Sequence, residues 1–500
     1  MEQDLIISHD LGTTGDKSCL WDLDGNLVAS YRCSYPLYQP HPTWAEQDPK
    51  HWWNAFKVST KRLIEQAHVD PREIRAIGFS GQMMGCLPVS ARGEPLRRAI
   101  IWMDQRSLEQ AEEIKRKIGE WEYYATTGVR PNATWSLSKF MWLRDNQPEL
   151  LRKAHRFLMA KDFIVMKLTG NFVTDYSDAS LSGSISIKDR NWAFDFLREL
   201  NIPSDLFPEI KHSTYVVGEL GAKEARETGL AQGTRVVLGG GDGPCATVGS
   251  GCVNEGDVYI YVGTSSWISA TTSKHLKDPQ MRFFNMWHLD RDLFTPAGTM
   301  QMAGGSYEWI KNILFGRRRA KSAYDSMEKM ASGVELGAAG VVFIPYLMGE
   351  RAPVWDSKAR GVFFGLTLAH DRRHLIRAVI EGVSINLRLI LEAFEENGVD
   401  VKEIRMIGGV AKSSLWRAVI TDCLGKPTLL VANPEEATSR GAMLAAAVGD
   451  GTFGDFRSAV KLVATQERHL PDEDNFKRYQ EIKARFVSIY NNLRPVFLLG

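Results

Sequence analysis

The sequence is poor in cysteine and contains no long hydrophobic run. Its six cysteines are scattered over 500 residues without a CxxC pair, so we expect reduced, mostly buried thiols rather than disulfides. No apolar stretch approaches the roughly 18 residues of a membrane span. Glu2 and Asp4 stand where a secretory signal would carry basic residues. The sequence therefore predicts a cytoplasmic protein that has no membrane partner.

An excess of charge of either sign is also missing. The 61 basic and 60 acidic residues give a formal net charge of +1, which provides no general attraction for nucleic acid or an anionic membrane. The one dense basic run, Arg317-Arg318-Arg319, lies in a polar, helix-like segment, and a solvated face or loop is its simplest interpretation. We expect no nucleic-acid partner.

Several common catalytic motifs are absent. The chain contains no HExxH pair of zinc ligands and no GxxxxGK[ST] phosphate loop. Its Gly239–Gly243 segment is not a GxGxxG turn that opens a helix after a strand. These absences argue against a zinc enzyme, a P-loop kinase and a dinucleotide-dependent dehydrogenase.

The chain does contain three short turns that share one chemistry. Asp10–Gly15 and Gly263–Ser266 each follow a strand-like run and offer glycine, hydroxyl groups and backbone N–H groups. The segment Gly239–Gly243 carries Asp242 after a third buried run, which predicts a strand at 236–239. Successive backbone N–H groups in such turns form concave sites for anionic oxygens. Two such turns and two acidic residues, Asp10 and Asp242, predict a site for a nucleoside triphosphate and a metal ion.

The order of elements begins again after about residue 253. Helix-like patterns at 49–67 and over most of 108–167 complete the first half. The strand-like runs that correspond are 5–8 with 258–262, 18–22 with 267–271, and 74–79 with 404–407. A chain of this length is too long for one core. We therefore predict a distant internal duplication, with α/β domains at residues 1–250 and 251–500 and the nucleotide in the cleft between them.

Four further segments carry patterns typical of one family. Thr134–Leu143 resembles the first signature of the FGGY carbohydrate kinases, and Gly361–Leu366 followed by His374–Gly382 resembles the second. Gly408–Arg417 resembles the adenosine-binding turn and helix of that family. The resemblance runs along essentially the whole chain. It implies two actin/hexokinase-like (ribonuclease H-like) α/β domains, and phosphoryl transfer from ATP in the presence of Mg²⁺.

The resemblance also implies roles for the turn residues. The family's catalytic Asp stands at Asp242, where it would accept the proton of the sugar hydroxyl; an Asp after glycines is otherwise a turn former. Asp10 would lie near the magnesium, through water, or else cap its own hairpin. The implied ATP contacts are Thr13, Thr14, Lys17, Gly263, Thr264 and Ser265 at the phosphates, and Gly408, Gly409, Lys412 and Ser413 at the adenosine. Plain hairpins and a strand-to-helix turn are the alternative interpretations of these segments.

Within the family, several stretches are xylulokinase-like, among them His41–Pro49 and Ile344–Arg351. Two residues depart from that pattern: Met84 stands where xylulokinases usually carry His, and Met103 stands where they usually carry Asn. The resemblance implies that both positions touch the sugar. The implied sugar contacts are Gln82, Met83, Met84, Trp102, Asp104 and Asp242. Replacing two hydrogen-bonding groups with thioethers favours a less hydroxylated or differently oriented polyol.

The substrate and the class of function are therefore left with alternatives. The xylulokinase-like stretches favour phosphorylation of D-xylulose to D-xylulose 5-phosphate. The two methionines keep other ketoses and polyols open, such as a deoxy-pentulose, ribulose, erythritol or glycerol. The competing class is a non-catalytic sugar- and ATP-binding regulator of the same superfamily, against which the retained Asp242 argues. A homodimer is among the assemblies that the resemblance leaves open.

Overall fold

The structure is a computed structural model, and it describes residues 4–316 and 321–499. The basic run Arg317-Arg318-Arg319 lies outside the described residues. The described chain forms two large mixed β-sheets, and helices pack against both of them. This is the α/β architecture that the sequence predicts.

Within the described residues, the first half of the chain supplies one large sheet, four separate two-stranded sheets and ten α-helices. Its strands are β1 (Leu5–Leu11), β2 (Gly15–Asp22), β3 (Leu27–Ser34), β4 (Glu46–Gln47), β5 (Ile74–Gly81), β6 (Leu87–Val89), β7 (Ala99–Ile100), β8 (Arg156–Leu158), β9 (Val173–Asp175), β10 (Ile185–Ser186), β11 (Asn191–Trp192), β12 (Glu209–Lys211), β13 (Val216–Glu219), β14 (Arg235–Val237) and β15 (Gly240–Gly241). Its helices are α1 (Pro49–Ala67), α2 (Leu108–Lys117), α3 (Glu120–Thr127), α4 (Ser136–Asn146), α5 (Pro148–Lys153), α6 (Ala160–Thr169), α7 (Tyr176–Ser180), α8 (Phe194–Glu199), α9 (Ala222–Thr228) and α10 (Asp242–Gly249).

The second half of the chain supplies the other large sheet and a separate two-stranded sheet. Its strands are β16 (Val258–Val262), β17 (Ser266–Ala270), β18 (Phe284–Trp287), β19 (Phe294–Met300), β20 (Val342–Ile344), β21 (Val362–Phe364), β22 (Ile404–Ile407), β23 (Thr428–Val431) and β24 (Thr465–His469). Its helices are α11 (Gly304–Phe315), α12 (Lys321–Ser332), α13 (Arg372–Glu396), α14 (Ser414–Leu424), α15 (Ala437–Gly449), α16 (Phe456–Ala459) and α17 (Glu473–Phe497).

The two large sheets repeat one strand order. The first runs β13-β14-β5-β1-β2-β3, with the short β15 beside β5. Taken from the corresponding edge, the second runs β24-β23-β22-β16-β17-β19, with β18 added beside β19. In each sheet the phosphate turn joins two antiparallel strands, β1 with β2 and β16 with β17. The first strand of each hairpin also pairs in parallel with a strand from later in the chain: β1 with β5, and β16 with β22. The predicted repetition of strand order is confirmed.

Local sequence signals account for the elements near the hairpins. Helix α1 begins after Asp48, whose side chain accepts a hydrogen bond from Lys50 N, and Pro49 occupies its first turn. Its bounds coincide with the predicted 49–67. The predicted strand at 236–239 is instead broken, because Gly239 takes a φ of 68° and a Cβ there would lie 1.8 Å from the carbonyl oxygen of Phe79. This break turns the chain so that Asp242 becomes the first residue of α10.

One hydrophobic cluster joins the two halves. Helix α15 packs against α10 and against β5 and β1 of the first sheet, and its alanines share a core with Ile6, Trp21 and Val248. All six cysteines are free, as predicted. Among the described residues, no helix combines the length and the apolar character that crossing a membrane demands.

Candidate active site

A cavity of about 300 Å³ lies between the two large sheets. Residues of the first half that line it include Thr13, Met83, Met84, Trp102, Trp135 and Asp242. Residues of the second half that line it include Tyr261, Ser265, Trp267, Phe284, Thr299 and Arg351. The cavity therefore brings together both phosphate-turn hairpins and the Asp242 segment, which lie far apart in the chain.

Asp242 lies at the N-terminus of α10 and is partly exposed to the cavity. Burial raises the pKa of its carboxyl to about 7, and repulsion from Asp10 adds to this effect. A hydrogen bond from Gly243 N to Oδ1 (2.8 Å) opposes the shift. A carboxylate with a pKa near neutrality is well matched to accept a proton from an alcohol during group transfer.

Asp10 lies on β1 beside the first hairpin. Burial raises its pKa to about 6, while the Ser80 side chain and the Lys17 ammonium group oppose that rise. Its buried Oδ1 accepts no hydrogen bond within the described part of the chain. No group of three or more His, Cys, Asp or Glu side chains suited to a metal ion occurs among the described residues. The buried Asp10 carboxylate with its unfilled oxygen fits Mg²⁺, which keeps several of its water ligands in proteins and so needs few protein ligands.

The first hairpin is held in place by side chains from both halves of the chain. Trp102 Nε1 donates to Thr13 Oγ1 (2.8 Å), and Arg32 donates to Thr14 Oγ1. Lys17 Nζ forms an ion pair with Glu436 (2.5 Å) across the cleft. Lys17, which is predicted to add charge at the phosphates, is thus paired with a carboxylate in this structure.

The second hairpin packs against the turn predicted to contact adenosine. Gly408 lies against the backbone of Val262, directly before Gly263, Thr264 and Ser265. Gly409–Lys412 forms a short 3₁₀ turn, and Lys412 Nζ forms an ion pair with Glu435 (2.8 Å). Ser413 caps helix α14 and also donates to Glu328 Oε1 (2.8 Å). The predicted adenosine turn therefore lies beside the second hairpin, and Ser413 also has a structural role.

Four of the six predicted sugar contacts line the cavity, and two do not. Met83, Met84, Trp102 and Asp242 are in its wall. Gln82 is buried and donates instead to Gln47 Oε1 (2.7 Å). Asp104 is fully buried, where its carboxylate accepts hydrogen bonds from Ala45 N and from the Arg106 guanidinium group. Both polar residues are therefore bonded to other protein groups and are not part of the cavity lining.

Met103 also differs from the sequence expectation. It packs against the core of the first sheet rather than in the cavity wall. Of the two methionines that replace polar residues of the xylulokinase pattern, only Met84 therefore faces the cavity.

Sequence reasoning missed the aromatic and cationic part of the cavity. Tyr261 and Trp267 stack with ring centroids 4.0 Å apart. Trp267 Nε1 donates to the Tyr259 hydroxyl (2.7 Å), which donates to the carbonyl of Gly243 (3.0 Å). The signal available in the sequence was the hairpin itself. A turn at 263–265 pairs residue 261 with residue 267 across the two strands, and directly paired residues point to the same face of a sheet.

Arg351 is the other residue that the sequence analysis left without a role. It lines the cavity, and burial lowers the pKa of its guanidinium group. Within the described ranges, its guanidinium group has neither an ion pair nor a hydrogen bond. It is therefore a positive charge available to a ligand.

Comparison with known proteins identifies the family. A sequence profile described as "FGGY family of carbohydrate kinases, N-terminal domain" matches residues 5–249, and the corresponding C-terminal profile matches residues 258–449. The chain belongs to the FGGY family of carbohydrate kinases. It is a phosphotransferase that acts on a sugar with ATP as the other substrate, and its two-domain fold is the predicted one.

Relatives of this FGGY kinase include two named activities. It is 31% identical over 497 residues to the xylulose kinase of Bacillus subtilis, covering 98% of this chain and 97% of that protein. It is also 31% identical over 492 residues to the gluconokinase of the same species, covering 97% of this chain and 95% of that protein. The structure of a ligand-bound xylulose kinase from Lactobacillus acidophilus superimposes with a TM-score of 0.92 at 27% identity, covering 98% of each chain.

Proposed function

We propose that this FGGY kinase transfers the γ-phosphoryl group of ATP to a hydroxyl of D-xylulose and so forms D-xylulose 5-phosphate. The observation that carries the proposal is Asp242: a carboxylate with a pKa of about 7, in a cavity that also contains the first phosphate hairpin. The similarity to xylulose kinases over nearly the whole chain favours this sugar.

Asp242 acts as the general base. As the sugar hydroxyl attacks the γ-phosphorus, its proton passes to the Asp242 carboxylate, and ADP leaves. Met84 and the rings of Trp102 and Trp267 form apolar walls that position the sugar and exclude water from the cavity. Water would otherwise compete with the sugar hydroxyl for the phosphoryl group.

The two hairpins and the adenosine turn bind ATP in this proposal. Hydroxyl and backbone N–H groups of Thr13, Thr14, Gly263, Thr264 and Ser265 contact phosphate oxygens, and Gly408, Gly409 and Lys412 contact the adenosine. Lys17 exchanges Glu436 for a phosphate oxygen when the nucleotide binds. Asp10 would hold Mg²⁺ through water, and the ion when bound would neutralise charge on the phosphates.

The division of the chain near residue 250 belongs to the same proposal. Residues 1–250 supply the first hairpin and one wall of the sugar cavity, and residues 251–500 supply the opposite wall, the second hairpin and the adenosine turn. The cytoplasmic location and the homodimer stay predictions.

A sugar acid is the second candidate substrate, and Arg351 favours it. A partly buried guanidinium group without a protein anion suits a carboxylate, which it binds in a bidentate manner. Similarity to gluconokinases agrees with such a substrate. D-gluconate carries the required carboxylate and D-xylulose does not.

One experiment tests both candidates. ADP release is measured for the native protein, Asp242→Asn and Arg351→Gln with D-xylulose, D-gluconate, D-ribulose, erythritol and glycerol. We expect Asp242→Asn to lower kcat by about 10²–10⁴-fold, since a general base contributes that much. If gluconate is the substrate, Arg351→Gln raises its KM by roughly 30-fold or more, which is the effect of removing one partner of a buried charge pair.

The outcomes separate the candidates. Asp474→Asn, on the exposed first turn of α17, is the matched control and should turn over at the native rate. Background rates on every sugar would contradict the sugar choice. A near-native rate for Asp242→Asn would contradict the base assignment.

A further inference from the structure

Lys139 is a buried cation that the mechanism does not use. It lies on the first turns of α4, and its side chain is fully buried. Among the described residues it has no carboxylate partner within ion-pair distance. Its Nζ donates instead to two backbone carbonyl oxygens, those of Met84 (2.7 Å) and Thr134 (2.6 Å).

The two carbonyl groups belong to segments that form the sugar side of the cavity. Met84 lines the cavity and has a φ of 63°, in the left-handed region that a residue with a side chain rarely adopts. Thr134 directly precedes Trp135, which also lines the cavity. The Lys139 ammonium group thus connects two wall segments that lie 50 residues apart (134 minus 84).

A second side chain of α4 supports the same turn. Ser136 Oγ donates to the carbonyl oxygen of Gly85 (2.8 Å). Residues 136 and 139 are three positions apart, so they share one face of the helix. Two consecutive carbonyl groups of the Met84–Gly85 turn are therefore held by α4.

Burying the charged form of Lys139 costs free energy. Burial lowers the pKa of its amine to about 7, nearby Asp104 raises it, and Arg106 and Arg351 lower it further. An apolar residue would avoid that cost, yet it would leave the carbonyl groups of Met84 and Thr134 without a partner. The need for a donor at this point explains the lysine better than packing does.

We propose that Lys139 is a positioning residue for the sugar pocket: it fixes the strained Met84 turn against the Thr134–Trp135 segment and so sets the shape of the sugar wall. The inference rests on the proposed function in one respect, because it takes this cavity as the sugar site. It assigns no proton-transfer step to Lys139. Its effect falls on sugar binding rather than on ATP binding.

The test combines steady-state kinetics with amide hydrogen exchange. Lys139→Met removes the donors and keeps much of the apolar stem. We expect the sugar KM to rise about 10-fold, while kcat and the KM for ATP stay within about 3-fold, as for loss of one buried hydrogen-bond partner. Exchange of residues 82–86 and 134–136 should become faster in the variant. Lys139→Gln, which keeps an N–H donor, should restore part of both effects.

Control variants keep the result interpretable. Lys483→Met removes another partly buried lysine, one that pairs with Glu392 between α13 and α17, and should change neither readout. Ser136→Ala loosens the same turn more gently and serves if Lys139→Met does not fold. It should shift both readouts in the same direction by a smaller factor.

Two results would overturn the inference. Unchanged exchange in the Met84 turn would mean that Lys139 does not hold it, and faster exchange with an unchanged sugar KM would mean that the turn does not set the pocket. If the native protein phosphorylates no sugar, the proposed function fails separately. The exchange measurement still decides in that case whether Lys139 holds the turn.

Discussion

At the residue scale, burial favours the neutral form of two carboxyl groups. One is Asp242, which lines the cavity, and the other is Glu350, which precedes the cavity residue Arg351 in the chain. Glu350 is 4% exposed; its Oε1 accepts hydrogen bonds from Gln301 N (2.8 Å) and Arg351 N (2.7 Å), and its buried Oε2 accepts none within the described part of the chain. Burial raises its pKa to about 8.

The raised pKa of Glu350 makes stability depend on pH. The unfolded chain loses this proton near the ordinary value of 4.5 and the folded protein near 8, so stability falls as pH rises through that window. Because one pKa unit corresponds to about 1.4 kcal/mol, the loss amounts to a few kcal/mol. Glu350→Gln keeps the accepting oxygen and should lose much less stability between pH 5 and pH 8. Thermal unfolding midpoints at both pH values measure the difference.

The control for this prediction is Glu473→Gln, on the exposed first turn of α17. It should retain the pH dependence of the native protein. Parallel pH profiles for Glu350→Gln and the native protein would mean that Glu350 is already ionised in the fold.

At the element scale, the position of Asp242, the proposed base, depends on one helix crossing. Helix α10 begins with Asp242 and lies backbone to backbone against α15. A Cβ on Gly249 would lie 1.7 Å from the carbonyl oxygen of Ala437, and a Cβ on Gly441 would lie 1.9 Å from that of Cys245. Only glycine permits these contacts, since backbone atoms cannot move aside as a side chain can.

Gly441→Ala should therefore separate the two helices. We expect a destabilisation of about 1–3 kcal/mol, as for other overpacked cores, and a lower kcat because α10 carries Asp242. Calorimetry and ADP release measure the two effects. Gly454→Ala is the matched control, because nothing lies within 4 Å of a Cβ there. Equal stability of the two variants would contradict the proposed closeness of this crossing.

Sequence signals predicted single helices and strands well, and the breaks between them less well. The hairpin turns, α1 and the repeat of strand order follow from turn chemistry and hydrophobic periodicity, which act over a few residues. The break at Gly239 was missed because it depends on the carbonyl of Phe79, 160 residues earlier (239 minus 79). No pattern within residues 236–242 records that neighbour.

At the scale of the whole molecule, the cavity has one wall on each half of the chain, so a relative movement of the halves would open or close it. The Lys17–Glu436 ion pair joins the two halves, and the neighbouring Glu435 pairs with Lys412 of the second half. We expect the two halves to close on sugar and nucleotide about a hinge near residue 250, because phosphoryl transfer requires water to be excluded.

Small-angle scattering measures this closure. A compact chain of this length has a radius of gyration of about 23 Å, and the value should fall when D-xylulose or D-gluconate is added together with a non-hydrolysable ATP analogue. Each ligand alone is the control and should give a smaller change. A scattering profile that the ligand pair leaves unaltered would count against the hinge.

The sequence by itself determined the two α/β halves, the phosphate hairpins and Asp242 as the candidate base, because glycine turns, hydroxyl residues and strand patterns are local properties. Only the tertiary structure decided which side chains face one another. It bonded Gln82 and Asp104 to other protein groups, brought Arg351 and Trp267 to the cavity, and paired Lys17 with Glu436. The physical reason is that packing between segments tens to hundreds of residues apart sets the direction and the partners of a side chain, and neither segment alone records such contacts.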